Sequence, residues 1–192
     1  LELAAALDDT SELYHSIQLG GQGVVGGSVA AINALSKRLS VRKIGVRDAP
    51  MLLPLHSAFH TPLMADTSKR AFTDLGNLPF QAPRVPLVDG RGVVFHPRTA
   101  EPGAIRDYTL GHQVTHPYDF TTSLVVALRD FAPDRIVLLG PGGNLGGPVA
   151  QTLIREGWKQ FTGRTNFVER QSVDPFVIAM NRPEQRQLVT DV

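Results

Sequence analysis

The chain has 192 residues, 42% of them hydrophobic, with 19 Lys and Arg against 18 Asp and Glu, a formal net charge of +1 and no cysteine. This is enough to bury the core of one domain, or of one domain with a small lobe, and the intermixed charge lacks the single-sign excess of a nucleic-acid or anionic-membrane binder. A disulfide framework, a thiolate nucleophile and a sulfur-based zinc site are excluded, no apolar run nears the roughly 18 residues of a membrane span, and a cytoplasmic location is expected.

In chain order, residues 1–7 and 13–19 are short apolar stretches, and Gly20-Gly21-Gln22-Gly23 predicts a turn before Val24-Val25. Ser28 is placed to cap a helix whose Ala31, Ile32, Leu35 and Leu39 share a face, and residues 41–46 read as a returning strand. An apolar strand is expected over 51–55. A helix follows from Pro62, with Met64, Ala71, Phe72 and Leu75 inward and Gly76 at its end. Residues 79–94 read as loop and strand, 104–112 as helix, and 118–131 as a helix burying Phe120, Leu124, Ala127, Leu128 and Phe131. Residues 136–139 form a buried strand by composition, "GPGGNLGG" a tight loop, and 148–156 a helix with proline in its first turn. Strands alternating with helices predict an α/β sheet. The expected division is a small lobe over 1–50, a core over 51–180 and a loosely held tail over 181–192.

Four motifs carry possible chemistry. Gly140, Gly142 and Gly146 sit between a strand and a helix, where amides attract phosphate, but their spacing fits neither G-x-G-x-x-G nor a P-loop. A close-packed strand-to-helix turn is the better reading. Ser28 in "VVGGSVAA" lacks the final glycine of a nucleophile elbow, since Ala30 stands there, and reads better as a cap. His112 and His116 have the i, i+4 spacing of zinc ligands, without an intervening glutamate and with Pro117 ending the helix, so no metal is expected. The last is "LPLHSAFHTPLM", residues 53–64. His56 reads as an ordinary packed or surface histidine. His60 precedes Thr61-Pro62, a strong helix start, which would set its imidazole at the helix's positive end, a place that favours the neutral ring a general base requires.

"SAFHTPLM" resembles the histidine motif of malonyl-CoA:acyl-carrier-protein transacylases and of the acyltransferase domains of polyketide and fatty acid synthases. "GQGVVGGSVAAINAL" is similar to that family's Gly-Gln-Val-Val-x-Gly helix entry, "FQAPRVPLV" to its Phe-x-x-Pro-x-x-Pro-Val segment, and "VLLGPGGNLGG" to its Gly-Pro-Gly turn. Each motif alone is weak; the four occur in family order between about residues 3 and 160. The resemblance implies an α/β fold: part of an α/β-hydrolase-like acyltransferase domain with a small ferredoxin-like lobe, covering its C-terminal part.

The resemblance also implies roles. His60 corresponds to the catalytic base. "IRDYTLGHQVTHPYDF" resembles the stretch in which a glutamine's backbone carbonyl orients that histidine; the position falls on Gln113, with one residue more than usual upstream, so that the alignment also allows His112. Phe59 is implicated in substrate binding: an Ala-Phe-His form accompanies malonyl preference in the family, and Ala-Ser-His more often methylmalonyl. The resemblance places the family's nucleophile serine, in Gly-His-Ser-x-Gly, its carboxylate-binding arginine and its N-terminal Gly-Gln-Gly loop in a segment before the part matched here, and Gly-His-Ser-x-Gly does not occur in this sequence. The implied function is the C-terminal part of an S-malonyltransferase of fatty acid or polyketide biosynthesis, inactive alone and completed by an N-terminal segment bearing the serine. Malonyl-CoA is the expected substrate, acyl carrier protein the expected partner, and no cofactor is expected. A non-catalytic, carrier-protein-binding half, an acyl-ester hydrolase and a nucleotide-binding module are the alternatives.

Overall fold

In a computed structural model, the structure describes residues 12–44, 47–53, 56–140 and 143–190; the expected stretch at 1–7 lies outside them. The chain forms two compact units. One takes in the chain up to Ile17, with Gly23–Leu87 and Phe95–Tyr118; the other comprises Gln18–Gln22, Val88–Val94 and the chain from Asp119.

Strands β1 (Leu13–Leu19) and β2 (Gln22–Gly27) are joined at Gly20, whose φ of 62° suits glycine. With β7 (Tyr118–Asp119) they make a three-stranded sheet in the order β2-β1-β7. Ser28 opens α1 (Val29–Arg38), its Oγ accepting from the Ala31 amide at 3.3 Å. Leu13 and Leu35 form a small core with Val25, Ala31, Ile32 and Leu39 packed against it. The returning strand is β3 (Arg42–Ile44), antiparallel to β4 (Arg47–Ala49) with Lys43 opposite Asp48. A 3₁₀ turn, Pro62–Met64, runs into α2 (Ala65–Leu75), and β5 (Leu87–Val88) pairs with β6 (Val94–Phe95). Helix α3 (Pro102–Asp107) continues through a π turn, Tyr108–His112, into α4 (Gln113–Thr115).

In the second unit, Asp119 caps α5 (Phe120–Phe131) by accepting from the Thr122 amide at 2.8 Å, and Ala132, in the left-handed region, ends it. Strand β8 (Ile136–Leu138) is parallel to β9 (Val177–Ala179), in register from Ile136 with Val177. Helices α6 (Gly146–Arg155) and α7 (Arg164–Val173) complete this layer. Leu128, Val149, Leu153, Phe161 and Phe176 are buried together as its core.

Several expectations are corrected. Residues 51–53 are not a strand, and Met51, Leu52 and Leu53 are exposed. The run lies between Pro50 and Pro54, neither of which can donate to a ladder, and Pro54 and Leu55 lie outside the described residues. Phe72 and Leu75 are exposed on α2, and the buried member of that helix is Ser68. Phe131 is exposed at the end of α5. Val137 is exposed in the middle of β8, since β9 is its only neighbour among the described residues and the core covers one face. The expected tail is helical, α8 (Pro183–Thr190), and the Gln185 side chain accepts from the Ala179 amide of β9 at 2.8 Å.

Candidate active site

Local backbone chemistry builds the site. His60 stands at the turn before the 3₁₀ entry to α2 with φ 58°, a left-handed conformation costly for a side chain with a Cβ. Three features hold it there. Ser16 of β1, buried, donates from Oγ to the Phe59 carbonyl at 2.7 Å. Thr61, fully buried, donates from Oγ1 to the Ala58 carbonyl at 2.7 Å. Gly26 of β2 lets the turn come close, because a Cβ there would lie 3.0 Å from Thr61 Cγ2 and 3.2 Å from Ala58 Cα. Pro62 does take the first helical position, but the Thr61 hydroxyl bonds back into the turn and does not cap the helix amides.

The His60 ring is half-buried, with the Tyr118 ring at 5.7 Å between centroids. Its Nδ1 lies 2.5 Å from the Gln113 carbonyl oxygen. A carbonyl can only accept, so Nδ1 carries a proton, and in the neutral ring it is Nε2 that keeps the lone pair. That is the tautomer in which a histidine can take a proton from a nucleophile.

Why this carbonyl is available follows from the sequence. In a helix the carbonyl of residue 113 would accept from the amide four residues on, and that residue is Pro117, which has no N–H. Proline also restrains the residue before it, and His116 is extended at φ −126° and ψ 156°, where α4 stops. Upstream, the Gln113 amide donates to the Tyr108 carbonyl five residues back, the signature of a π turn.

The other sequence candidates fall out as follows. It is the carbonyl of Gln113 that meets His60; the His112 ring is stacked between Tyr108, at 5.9 Å, and His116, at 4.3 Å and 8°. His112 and His116 thus meet face to face, and no group of three or more potential metal-ligating side chains occurs among the described residues. Phe59 is exposed, its ring 6.3 Å from that of His56 and edge-on to it. Gly143 packs near the Asn181 side chain and Gly140 has φ 99°; Gly142 lies outside the described residues. Ser16, Ser68 and Tyr118 were not singled out by sequence reasoning. For Ser68 the available signal is a small polar residue whose helical-period neighbours Met64, Ala71 and Phe72 are apolar; Ser16, with Tyr14 and Gln18 two residues to either side, carries no such signal.

No protein-family model and no curated protein matches the chain. Solved structures do match. The malonyl-CoA:ACP transacylase of Synechocystis sp. is similar with a TM-score of 0.70 and 18% identity, over 98% of this chain and 54% of that one. The malonyl-CoA:acyl carrier protein transacylase of Xanthomonas oryzae pv. oryzae gives 0.68 and 23%, over 99% and 52%. A complex of a type II polyketide synthase acyl-carrier protein with its malonyl-transacylase gives 0.59 and 18%, over 76% and 45%. This chain therefore spans about half the length of the transacylases from those two bacteria. At these identities the likeness is one of fold, and the fold is the mixed α/β fold of acyltransferase domains.

Proposed function

We propose that this chain is the histidine-bearing part of an acyl-carrier-protein S-malonyltransferase, with His60 as general base, the Gln113 carbonyl orienting it, and the nucleophile serine on a segment outside these 192 residues. The observation that carries the reading is the Nδ1 contact to Gln113, which leaves Nε2 as proton acceptor. The shared fold supports the acyltransferase class, and the structure of a malonyl-transacylase with its acyl-carrier protein supports acyl carrier protein as the partner.

The steps proposed are those of ping-pong acyl transfer. Nε2 of His60 takes the serine hydroxyl proton as the serine oxygen attacks the thioester carbonyl of malonyl-CoA. The tetrahedral oxyanion collapses, the carbon–sulfur bond breaks, and the imidazolium returns its proton to the departing coenzyme A thiolate. In the second half, the phosphopantetheine thiol of the carrier protein gives its proton to Nε2 and attacks the malonyl-serine ester. Collapse forms the new thioester, and the serine oxygen leaves with the proton. Through both halves the Gln113 carbonyl faces Nδ1–H and steadies the imidazolium without a buried carboxylate. No cofactor enters this scheme.

The test is self-acylation by malonyl-CoA with the serine-bearing segment in place, read by mass spectrometry. His60→Ala should lower it by on the order of 100-fold or more with the fold retained, whereas His56→Ala should have a far smaller effect. Equal losses would remove the basis for choosing His60. Unimpaired carrier-protein binding without any acyl-serine would favour the non-catalytic half.

A further inference from the structure

We propose that Ser68 is a positioning residue for His60, acting through the π turn. This rests on the reading of His60 as the base, and its test does not need the base to act. Ser68 lies in α2, the helix that His60 introduces, and is buried at 8% exposure. Its Oγ donates to the Leu110 carbonyl at 2.7 Å. Leu110 is itself buried and sits inside the π turn that ends at Gln113. One turn further along α2, the Phe72 ring packs on Gly111, where a Cβ would lie 3.3 Å from Phe72 Cε2.

The two strands of this contact form a closed loop. Going one way, the chain runs from His60 through Pro62–Met64 to Ser68. Going the other, it runs from the Leu110 carbonyl through His112 to the Gln113 carbonyl and back to His60 Nδ1. A π turn is a wide, weakly held element, and its carbonyls are not all directed along the ladder of an α-helix. An α-helix turns about 100° per residue, so relaxation of Tyr108–His112 to ordinary helix would swing the Gln113 carbonyl well away from the imidazole. Ser68 supplies a buried hydrogen bond inside that turn from the same helix that carries the base. It therefore fixes both ends of the His60–Gln113 contact relative to one another. Replacing the hydroxyl by hydrogen leaves a buried carbonyl without this donor, which favours rearrangement of the turn.

The experiment is long-range proton–nitrogen NMR of the histidine rings in the full chain, with His60 assigned by His60→Gln. The wild-type protein should show Nδ1 as the protonated nitrogen and Nε2 as the bare one. Ser68→Ala should lose that pattern and shift towards the Nε2–H form usual for an unconstrained imidazole, while Ser68→Thr, which keeps the hydroxyl, should restore it. Helical content followed by circular dichroism separates a repositioned ring from an unfolded chain. If Ser68→Ala does not fold, Ser68→Val, isosteric with threonine but without a donor, is read in the same way. A wild-type tautomer in a folded Ser68→Ala or Ser68→Val overturns the proposal. With the serine-bearing segment in place, Ser68→Ala should also lower kcat by on the order of 10-fold with KM little changed. An Nδ1–H tautomer that depends on Ser68, in a protein whose acylation ignores His60, would uphold this inference and remove the reading on which it rests.

Discussion

His60 joins a left-handed backbone to a ring whose tautomer is set by a single contact, and both depend on small neighbours. Gly26 is the tightest of these. A methyl group there meets Thr61 and the Ala58 backbone at 3.0 to 3.2 Å, and Thr61 is fully buried and has nowhere to move. Gly26→Ala should therefore destabilise the protein by roughly 1–3 kcal/mol in a urea titration, with the His60 turn losing amide-exchange protection first; unchanged stability would mean that the turn yields freely. Phe59 poses the question of acyl choice. Its ring is exposed in the residue before His60, where, if His60 is the base, a bulky group could exclude an α-methyl. Since one methyl is worth about 1–3 kcal/mol in discrimination, Phe59→Ser should narrow the ratio of kcat/KM for malonyl-CoA over methylmalonyl-CoA in the serine-bearing protein, chiefly by improving the methylated substrate. An unaltered ratio in an active variant would make Phe59 a packing residue.

At the scale of elements, Pro117 leaves the Gln113 carbonyl without a helical donor, so its replacement tests the site through the backbone. Pro117→Ala supplies an N–H and relaxes His116 towards helix, and the new bond competes with His60 for the carbonyl. With a net hydrogen bond worth about 0.5–1.5 kcal/mol, acylation should fall about 2- to 10-fold, and the His60 Nδ1–H resonance should broaden. No change in either would show that α4 does not extend. What could be read from the sequence follows the range of the signals. The β1–β2 turn at Gly20, the Ser28 cap and most of the helix expected over 118–131 were legible because each is decided within a few residues, although that helix begins only at Phe120, after strand β7. The π turn was not, because no short residue pattern marks where a helix widens by one residue per turn. Helical spacing on α2 marked Phe72 and Leu75 as one apolar face, but periodicity cannot say what covers a face, and both are exposed.

For the molecule as a whole, exposed apolar side chains recur in each unit: Met51, Leu52, Phe72 and Leu75 in one, Val137 and Leu139 in the other, Leu139 at 81% exposure. Where such side chains make a contiguous patch they mark an interaction surface, which the proposed serine-bearing segment would require. The 192 residues alone should then acquire no covalent malonyl group on incubation with malonyl-CoA, and should do so once that segment is present. Malonylation of the isolated chain would place the nucleophile within it. The contact at the centre of the site also bears on how such a molecule tolerates inherited change. Every amino acid at position 113 brings the same carbonyl, so codon replacement there should give a nearly flat activity profile, proline excepted because it lacks the N–H that bonds Tyr108. A single-codon insertion or deletion within Tyr108–His112 changes the number of residues in the turn and should abolish function, so the gene is expected to be permissive to spelling at this point and strict about length.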